Sequence, residues 1–177
     1  MILEPVSAEN RLVEFVYNTG THSGEISRDG RSARRGRGNF LMETHRYLLD
    51  TNILSDLIRN PSGPVFDRLK SILPATACTS IIVSAEVRFG LCKDASEKLK
   101  IQAEKVLEVL DILPLEKPVD EYYGKIRALL NKAGQPIGGN DLLIAAHALA
   151  LNLTLVSANV REFSRVPDLR VENWLVK

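Results

Sequence analysis

From residue 47 onward the chain alternates short apolar runs with longer stretches in which apolar side chains recur every three or four positions. Tyr47-Leu48-Leu49 is such a run and predicts a strand over 47–50. A helix over 52–59 follows and stops at Asn60-Pro61, because proline disfavours helical geometry in the residue before it. Pro64 opens a second helix in which Val65, Leu69 and Ile72 share a face, ended by Pro74. Next come a strand over 77–79 and a helix that Ser80 caps and that runs to Cys92. The pattern continues with a helix over 96–109, a strand over 112–115, and a helix over 118–132 closed by Gly134. An apolar helix over 141–151, a strand over 154–157 and a fifth strand at 170–171 complete it. Strands separated by helices imply a parallel sheet covered on both faces. Residues 47–177 therefore read as one α/β domain of three layers, a short, mostly parallel, twisted sheet of four to five strands between helices.

Residues 1–46 follow no such pattern. They carry Gly20, Gly24, Gly30, Gly36 and Gly38 and the basic cluster Arg31-Ser32-Ala33-Arg34-Arg35-Gly36-Arg37, a composition of loop or disorder. The stretch Leu12-Val13-Glu14-Phe15-Val16 is amphipathic over one helical turn but has no neighbouring element to pack on. The arginines fit a nucleic-acid arm. The plainer reading is an upstream start assigned in error or a retained extension, with Met42 as the alternative start.

Composition narrows the class without choosing a function. The 177 residues, 45% of them hydrophobic, suffice for one domain with its own core. A net charge of +1 demands neither nucleic acid nor a membrane surface as partner, although a local basic rim remains compatible with RNA. Cys78 and Cys92 lie in apolar surroundings without metal-site spacing and read as buried, reduced thiols. No apolar run approaches a membrane span, and Met1-Ile2-Leu3-Glu4-Pro5 lacks the basic start of a secretory signal, so a cytoplasmic protein is expected.

The chemistry rests on acids. Asp50 ends the first strand, at the carboxyl edge where open parallel sheets bind ligands, and Thr51-Asn52 follow it. The competing role for Asp50 is to cap the next helix. Glu86 lies among Ile81, Ile82, Val83, Ala85, Val87 and Phe89, where a carboxylate is costly unless paired or metal-bound. Its alternatives are an ion pair with Arg88, poorly placed at i,i+2, or exposure on an outer face. Asp141 follows Gly138-Gly139-Asn140, glycines that let backbone approach a ligand; its alternative is ordinary helix capping. Asn159, after the fourth strand, falls on the same edge, with a turn role as its alternative. Three clustered carboxylates repel unless a cation neutralises them, and hard oxygens suit Mg²⁺ or Mn²⁺. Phosphodiester hydrolysis is the chemistry such a site supports. His147, among alanines, reads as a packed histidine, and Arg59, Arg88, Arg161 and Arg165 as basic groups flanking the mouth.

Several segments together resemble the PIN-domain ribonucleases, and within them the VapC-type toxins of bacterial toxin–antitoxin pairs. They are Leu49-Asp50-Thr51-Asn52, Ser84-Ala85-Glu86-Val87-Arg88-Phe89-Gly90, and the run from Ile137 through Gly138-Gly139-Asn140-Asp141 to Ala148. Thr154-Leu155-Val156-Ser157-Ala158-Asn159-Val160-Arg161-Glu162-Phe163, Arg165-Val166-Pro167 and Val171-Glu172-Asn173-Trp174 continue the likeness, which leaves out residues 1–46. The resemblance implies a PIN-like fold and a metal-dependent endoribonuclease acting on tRNA or another structured RNA. It implies Asp50, Glu86 and Asp141 as metal ligands for Mg²⁺ or Mn²⁺, with Asn159 completing the catalytic set where many PIN domains carry a fourth acid. It further implies a VapB-type antitoxin as partner, a homodimer, and a hetero-oligomer with the antitoxin on operator DNA. Helices around 53–58 and 69–73 are where the family's antitoxin and dimer contacts fall. Two rivals stand beside it. An aspartyl phosphatase would use Asp50 but lacks an Asp two residues on, where Asn52 stands. A catalytically silent binding module would act only through its antitoxin on DNA.

Overall fold

A computed structural model of the chain describes residues 45–176, apart from Leu73 and Asp94, together with Phe15. Five strands form one parallel sheet in the order β3-β2-β1-β4-β5. They are β1 (Tyr47–Leu49), β2 (Ala77–Ser80), β3 (Asp111–Leu113), β4 (Thr154–Val156) and β5 (Val171–Glu172). Tyr47 is in register with Ala77 on one side and Thr154 on the other, so β1 is central. Successive residues Leu48 and Leu49, Cys78 and Thr79, and Leu155 and Val156 are all fully buried, as strands with both faces covered must be.

Each helix begins and ends for a local reason. The first, α1 (Thr51–Arg59), buries Ile53, Leu54, Leu57 and Ile58 on one side. Pro64 sits at the start of α2 (Pro64–Ser71). Ser80 caps α3 (Ile81–Cys92) by accepting the Ile82 N–H at 3.2 Å. Ser96 caps α4 (Glu97–Val109) through the Leu99 N–H at 3.3 Å. Gly134, at φ +66, takes the left-handed turn that closes α5 (Val119–Lys132). The remaining helices are α6 (Gly139–Ala150) and the one-turn α7 (Val160–Phe163). Helix α1 packs on α2, α3 and α4, while α5 pairs with α6, and α3 also touches α6.

The α/β architecture matches the expectation, with shifts at the ends. The third strand is Asp111–Leu113 rather than 112–115, and α6 starts at Gly139, two residues before Asp141. Neither the 3₁₀ turn Pro74–Thr76 nor α7 has a clear period in the sequence. His45 and Arg46, expected in the leader, join the sheet: His45 Nε2 lies 2.9 Å from Asp111 Oδ2, and Arg46 N–H donates to Thr76 O at 2.7 Å. Phe15 is helical, half-buried and packed against the core, although its stretch shows no partner in sequence. The other expectations for residues 1–44, disorder, the arginine arm and the Met42 start, lie outside the described residues. Cys78 is buried and free, and burial pushes its thiol well above the usual range. Cys92 is also free but exposed, against the expectation of burial, because it ends α3 at the surface. Among the described residues no helix is long and apolar enough to cross a membrane.

Candidate metal centre

The order of strands reverses direction at β1, between β2 and β4, and such a switch point opens a crevice at the carboxyl edge. Asp50 stands in it. Its backbone N–H donates to Val156 O at 2.9 Å, fixing it between the two strand ends. The residue is 2% exposed. Oδ1 accepts the Thr51 N–H at 2.7 Å, and Oδ2 accepts Asn52 Nδ2 at 2.8 Å and Ser157 Oγ at 2.6 Å. Burial raises the pKa of this acid, the hydrogen bonds from Ser157 and Thr51 pull it back, and the Glu86 charge raises it again. Asp50 thus caps α1 while its carboxylate also lies at the carboxyl edge of the sheet, so the cap does not displace it from the crevice.

Asn52 ties the two strand ends together. Its amide reaches Ser157 Oγ at 3.2 Å as well as Asp50, while its Oδ1 accepts the Ala158 N–H at 2.9 Å. Ser157 Oγ also accepts the Asn159 N–H at 3.0 Å.

Glu86 lies in α3, half-buried, and both its oxygens are engaged. Oε2 accepts the Thr51 hydroxyl in a short hydrogen bond, and Oε1 accepts Asn140 Nδ2 at 2.7 Å. The Arg88 pair weighed in sequence does not form. Arg88 turns instead to Glu104 on α4, with contacts of 2.5 and 3.1 Å. The apolar character of α3 is not what confines Glu86 either, since Ile81 is 46% and Phe89 is 63% exposed. A cleft of about 200 Å³ opens beside Glu86, lined also by Thr51, Ser55, Arg59, Gly90 and Leu99.

Asp141 sits in the first turn of α6, behind a cap position held by Gly138. Burial, then the charges of Asp50, Glu162 and Glu86, raise its carboxyl to about 6, and a carboxyl hydrogen bond with Glu162 adds to the shift. A Cβ at Gly138 would fall 3.2 Å from Asp141 Oδ2, so the glycine makes room for the carboxylate; Gly139 faces open space.

The structure therefore brings Asp50, Glu86 and Asp141 into one electrostatic neighbourhood and adds Glu162. Glu162 belongs to no period and sits beside Arg161, so only the placement of α7 reveals it. Asn159 behaves as a turn residue. It is exposed, its carbonyl accepts the Glu162 and Phe163 N–H groups at 3.0 and 3.2 Å, and among the described residues its side chain makes no hydrogen bond. His147 is 1% exposed, 3.1 Å from Ser80 Oγ, and desolvation lowers it to about 4, in keeping with a packed histidine. Arg59 and Arg161 are exposed, and Arg165 reaches Pro136 O at 3.3 Å.

Could these residues hold a divalent ion? Among the described residues no group of three or more His, Cys, Asp or Glu side chains is placed to hold a metal ion by itself. The donor chemistry nevertheless fits Mg²⁺ or Mn²⁺. All four acids offer hard oxygens, and Mg²⁺ usually keeps several waters and rests on one or two carboxylates. Burial first, and then the charges of neighbouring acids, raise the Asp141 and Asp50 carboxyls, and a bound cation would offset both.

A parallel five-stranded sheet with acids at its switch point defines a PIN domain, and the PIN domain family model matches residues 47–169, so the chain belongs to that family. Within it the chain groups with the VapC ribonucleases. It is 39% identical over 133 residues to Ribonuclease VapC2 of Rickettsia felis, covering 72% of this chain and 97% of that one. It is 32% identical over 130 residues to the tRNA(fMet)-specific endonuclease VapC of Salmonella typhimurium, covering 73% and 98%. Among solved structures, VapBC2 from Rickettsia felis bound to a promoter DNA fragment superposes with a TM-score of 0.65 at 39% identity, over 72% of this chain and 98% of that one. VapBC-1 from nontypeable Haemophilus influenzae gives 0.66 at 36% identity, over 73% and 98%.

Proposed function

We propose that this chain is a metal-dependent endoribonuclease and the toxin of a toxin–antitoxin pair. The observation that carries this reading is the gathering of Asp50 at the end of β1, Glu86 midway along α3, and Asp141 and Glu162 in the first turns of α6 and α7, with Asp141 raised to about 6 by burial and by its acidic neighbours. Asp50, Glu86 and Asp141 are the ligands for Mg²⁺ or Mn²⁺, and Glu162 rather than Asn159 supplies the fourth acid. The bound ion would supply positive charge against the charge that grows on the phosphate and would make water a stronger nucleophile. The protein's own part is geometric. Asp50 is fixed by five hydrogen bonds, two through its backbone, and Glu86 or Asp141 accepts a hydrogen bond from the attacking water and orients it. Arg59, beside Glu86 in the cleft, and exposed Arg161 are positioned to bind RNA phosphates. Attack by water on the phosphorus, with the P–O3′ bond breaking and the 3′-oxygen leaving to take up a proton, gives 5′-phosphate and 3′-hydroxyl ends and does not use the RNA 2′-hydroxyl.

The tRNA(fMet)-specific relative supports tRNA as the substrate class. The VapBC complexes support a VapB-type antitoxin as partner, and the promoter-bound one supports assembly with it on operator DNA. The promoter-bound VapBC2 complex is equally compatible with a catalytically silent module that acts only through its antitoxin on DNA. Incubating the full chain with total tRNA and sequencing the new ends separates the two. Cleavage that appears with Mg²⁺ or Mn²⁺, stops with EDTA and leaves 5′-phosphates is the expected result; intact tRNA at saturating metal would sink the nuclease reading.

A further inference from the structure

We infer that Thr51 and Asn140 are positioning residues that hold the Glu86 carboxylate for catalysis, an inference that rests on the ribonuclease reading. Two donors from two different helix starts meet on one carboxylate. The Thr51 hydroxyl, from the first residue of α1, binds Oε2, and the Asn140 amide, from the first turn of α6, binds Oε1 at 2.7 Å. Neither donor is needed by its own helix. Asp50 already caps α1, and the Asn140 side chain makes no other hydrogen bond among the described residues.

Each also reaches a second acid. The Thr51 backbone N–H binds Asp50 Oδ1 at 2.7 Å, so one residue sets the spacing between Asp50 and Glu86. Asn140 precedes Asp141 in the chain, so its amide ties α3 to the turn that carries the third acid. A half-buried glutamate facing two neighbouring negative charges would otherwise turn toward water, away from them. Neutral donors prevent this without adding charge, and each carboxylate oxygen keeps lone-pair capacity for a cation or a water.

The test uses the full chain with Thr51→Val, Thr51→Ser and Asn140→Ala. Three quantities are read: Mn²⁺ affinity by calorimetry without RNA, kcat and KM for tRNA cleavage, and Tm in EDTA. Thr51→Val and Asn140→Ala should lose about 10–100-fold in Mn²⁺ affinity or kcat, the scale of groups that orient metal ligands. KM and Tm should hardly move, and Thr51→Ser should recover most of the loss. If Thr51→Val perturbs folding, exposed Asn140 carries the test. Wild-type affinity and kcat in both deletions would overturn the inference, as would equal losses in Thr51→Ser and Thr51→Val for the hydroxyl. A wild-type protein that neither binds Mn²⁺ nor cleaves would overturn the ribonuclease reading and the positioning role with it.

Discussion

The two halves of the acidic site are built on opposite principles. Around Asp50 and Glu86 the negative charge is netted by neutral donors, from Thr51, Asn52, Ser157 and Asn140. Asp141 and Glu162 instead lie near each other with no neutral donor to either side chain among the described residues, and burial together with the charges of Asp50, Glu162 and Glu86 raises Asp141. Both halves are acidic, yet removing a charge has different consequences in each. Taking an acid from the netted half strands its donors, whereas taking one from the Asp141–Glu162 pair relieves a repulsion.

The largest expected effects are on cleavage. Asp50→Ala, Glu86→Ala and Asp141→Ala should each lower kcat by about 10²–10⁴-fold, the range for removing a group engaged in proton or charge handling. Stability in EDTA should separate the halves. Asp50→Ala leaves the Thr51 N–H, Asn52 Nδ2 and Ser157 hydroxyl without their acceptor, at about 1–3 kcal/mol for each donor left dry, and Tm should fall. Asp141→Asn keeps the shape, removes a charge, and should raise Tm. Equal Tm shifts in the two variants would erase the distinction between the halves.

Glu162 and Asn159 come next. If Glu162 belongs with Asp141, Glu162→Gln should weaken Mn²⁺ binding or kcat by about 10–100-fold, and Asn159→Ala by far less. The reverse order, read by Mn²⁺ titration of both variants, would return the fourth position to Asn159.

Much of this site is legible in sequence, for a physical reason. Asp50 follows an apolar strand and precedes a helix, and the carboxyl edge of a parallel sheet fixes where such a residue points. Local order is enough. The Asp141–Glu162 half depends on the trajectory after β4, where a one-turn helix leaves no period to read and where Asn159, nearer the strand end, looks the better placed. Glu86 lies in the expected helix, but its surroundings are not the expected ones. The exposed faces of Ile81 and Phe89 show that α3 does not confine it; donors from α1 and α6 do. The partial burial of Phe15 and the exposure of Cys92 run against the sequence reading for a similar reason, because burial of a single side chain is decided by what the fold lays beside it.

A smaller effect probes how tightly the Asp141 half is fitted. Alanine at Gly138 would put its Cβ 3.2 Å from Asp141 Oδ2 and push the carboxylate by a few tenths of an ångström. Cleavage should fall about tenfold, below the ~10²-fold that a full ångström of misplacement costs. Gly139→Ala meets nothing within 4 Å and should leave kcat alone while gaining about 0.4–1 kcal/mol from a stiffer unfolded chain. A similar kcat loss in both would mean that backbone stiffness, not crowding of Asp141, is at work.

The smallest expected effect is the pH dependence of stability in the metal-free protein, because two buried groups oppose each other. Asp141 holds its proton to about 6 in the folded chain and releases it near 3.8 when unfolded. The folded state therefore binds more protons between those values, and this acid destabilises the fold as pH rises through that window. Asp50, raised by burial, acts in the same sense. His147 runs the other way. Desolvation in its packed site lowers it from 6.5 to about 4, so the unfolded chain takes up the proton first and stability drains away as pH falls through that range. The windows overlap, and the wild-type Tm in EDTA should change little between pH 7 and 4.5. Asp141→Asn removes one side of the balance, so its Tm should fall on acidification relative to wild type. His147→Gln removes the other side, and its Tm should rise relative to wild type over the same range. Parallel pH profiles for wild type and Asp141→Asn would mean that the Asp141 carboxyl is not held protonated by its neighbours, and the electrostatic contrast between the two halves of the site would fall.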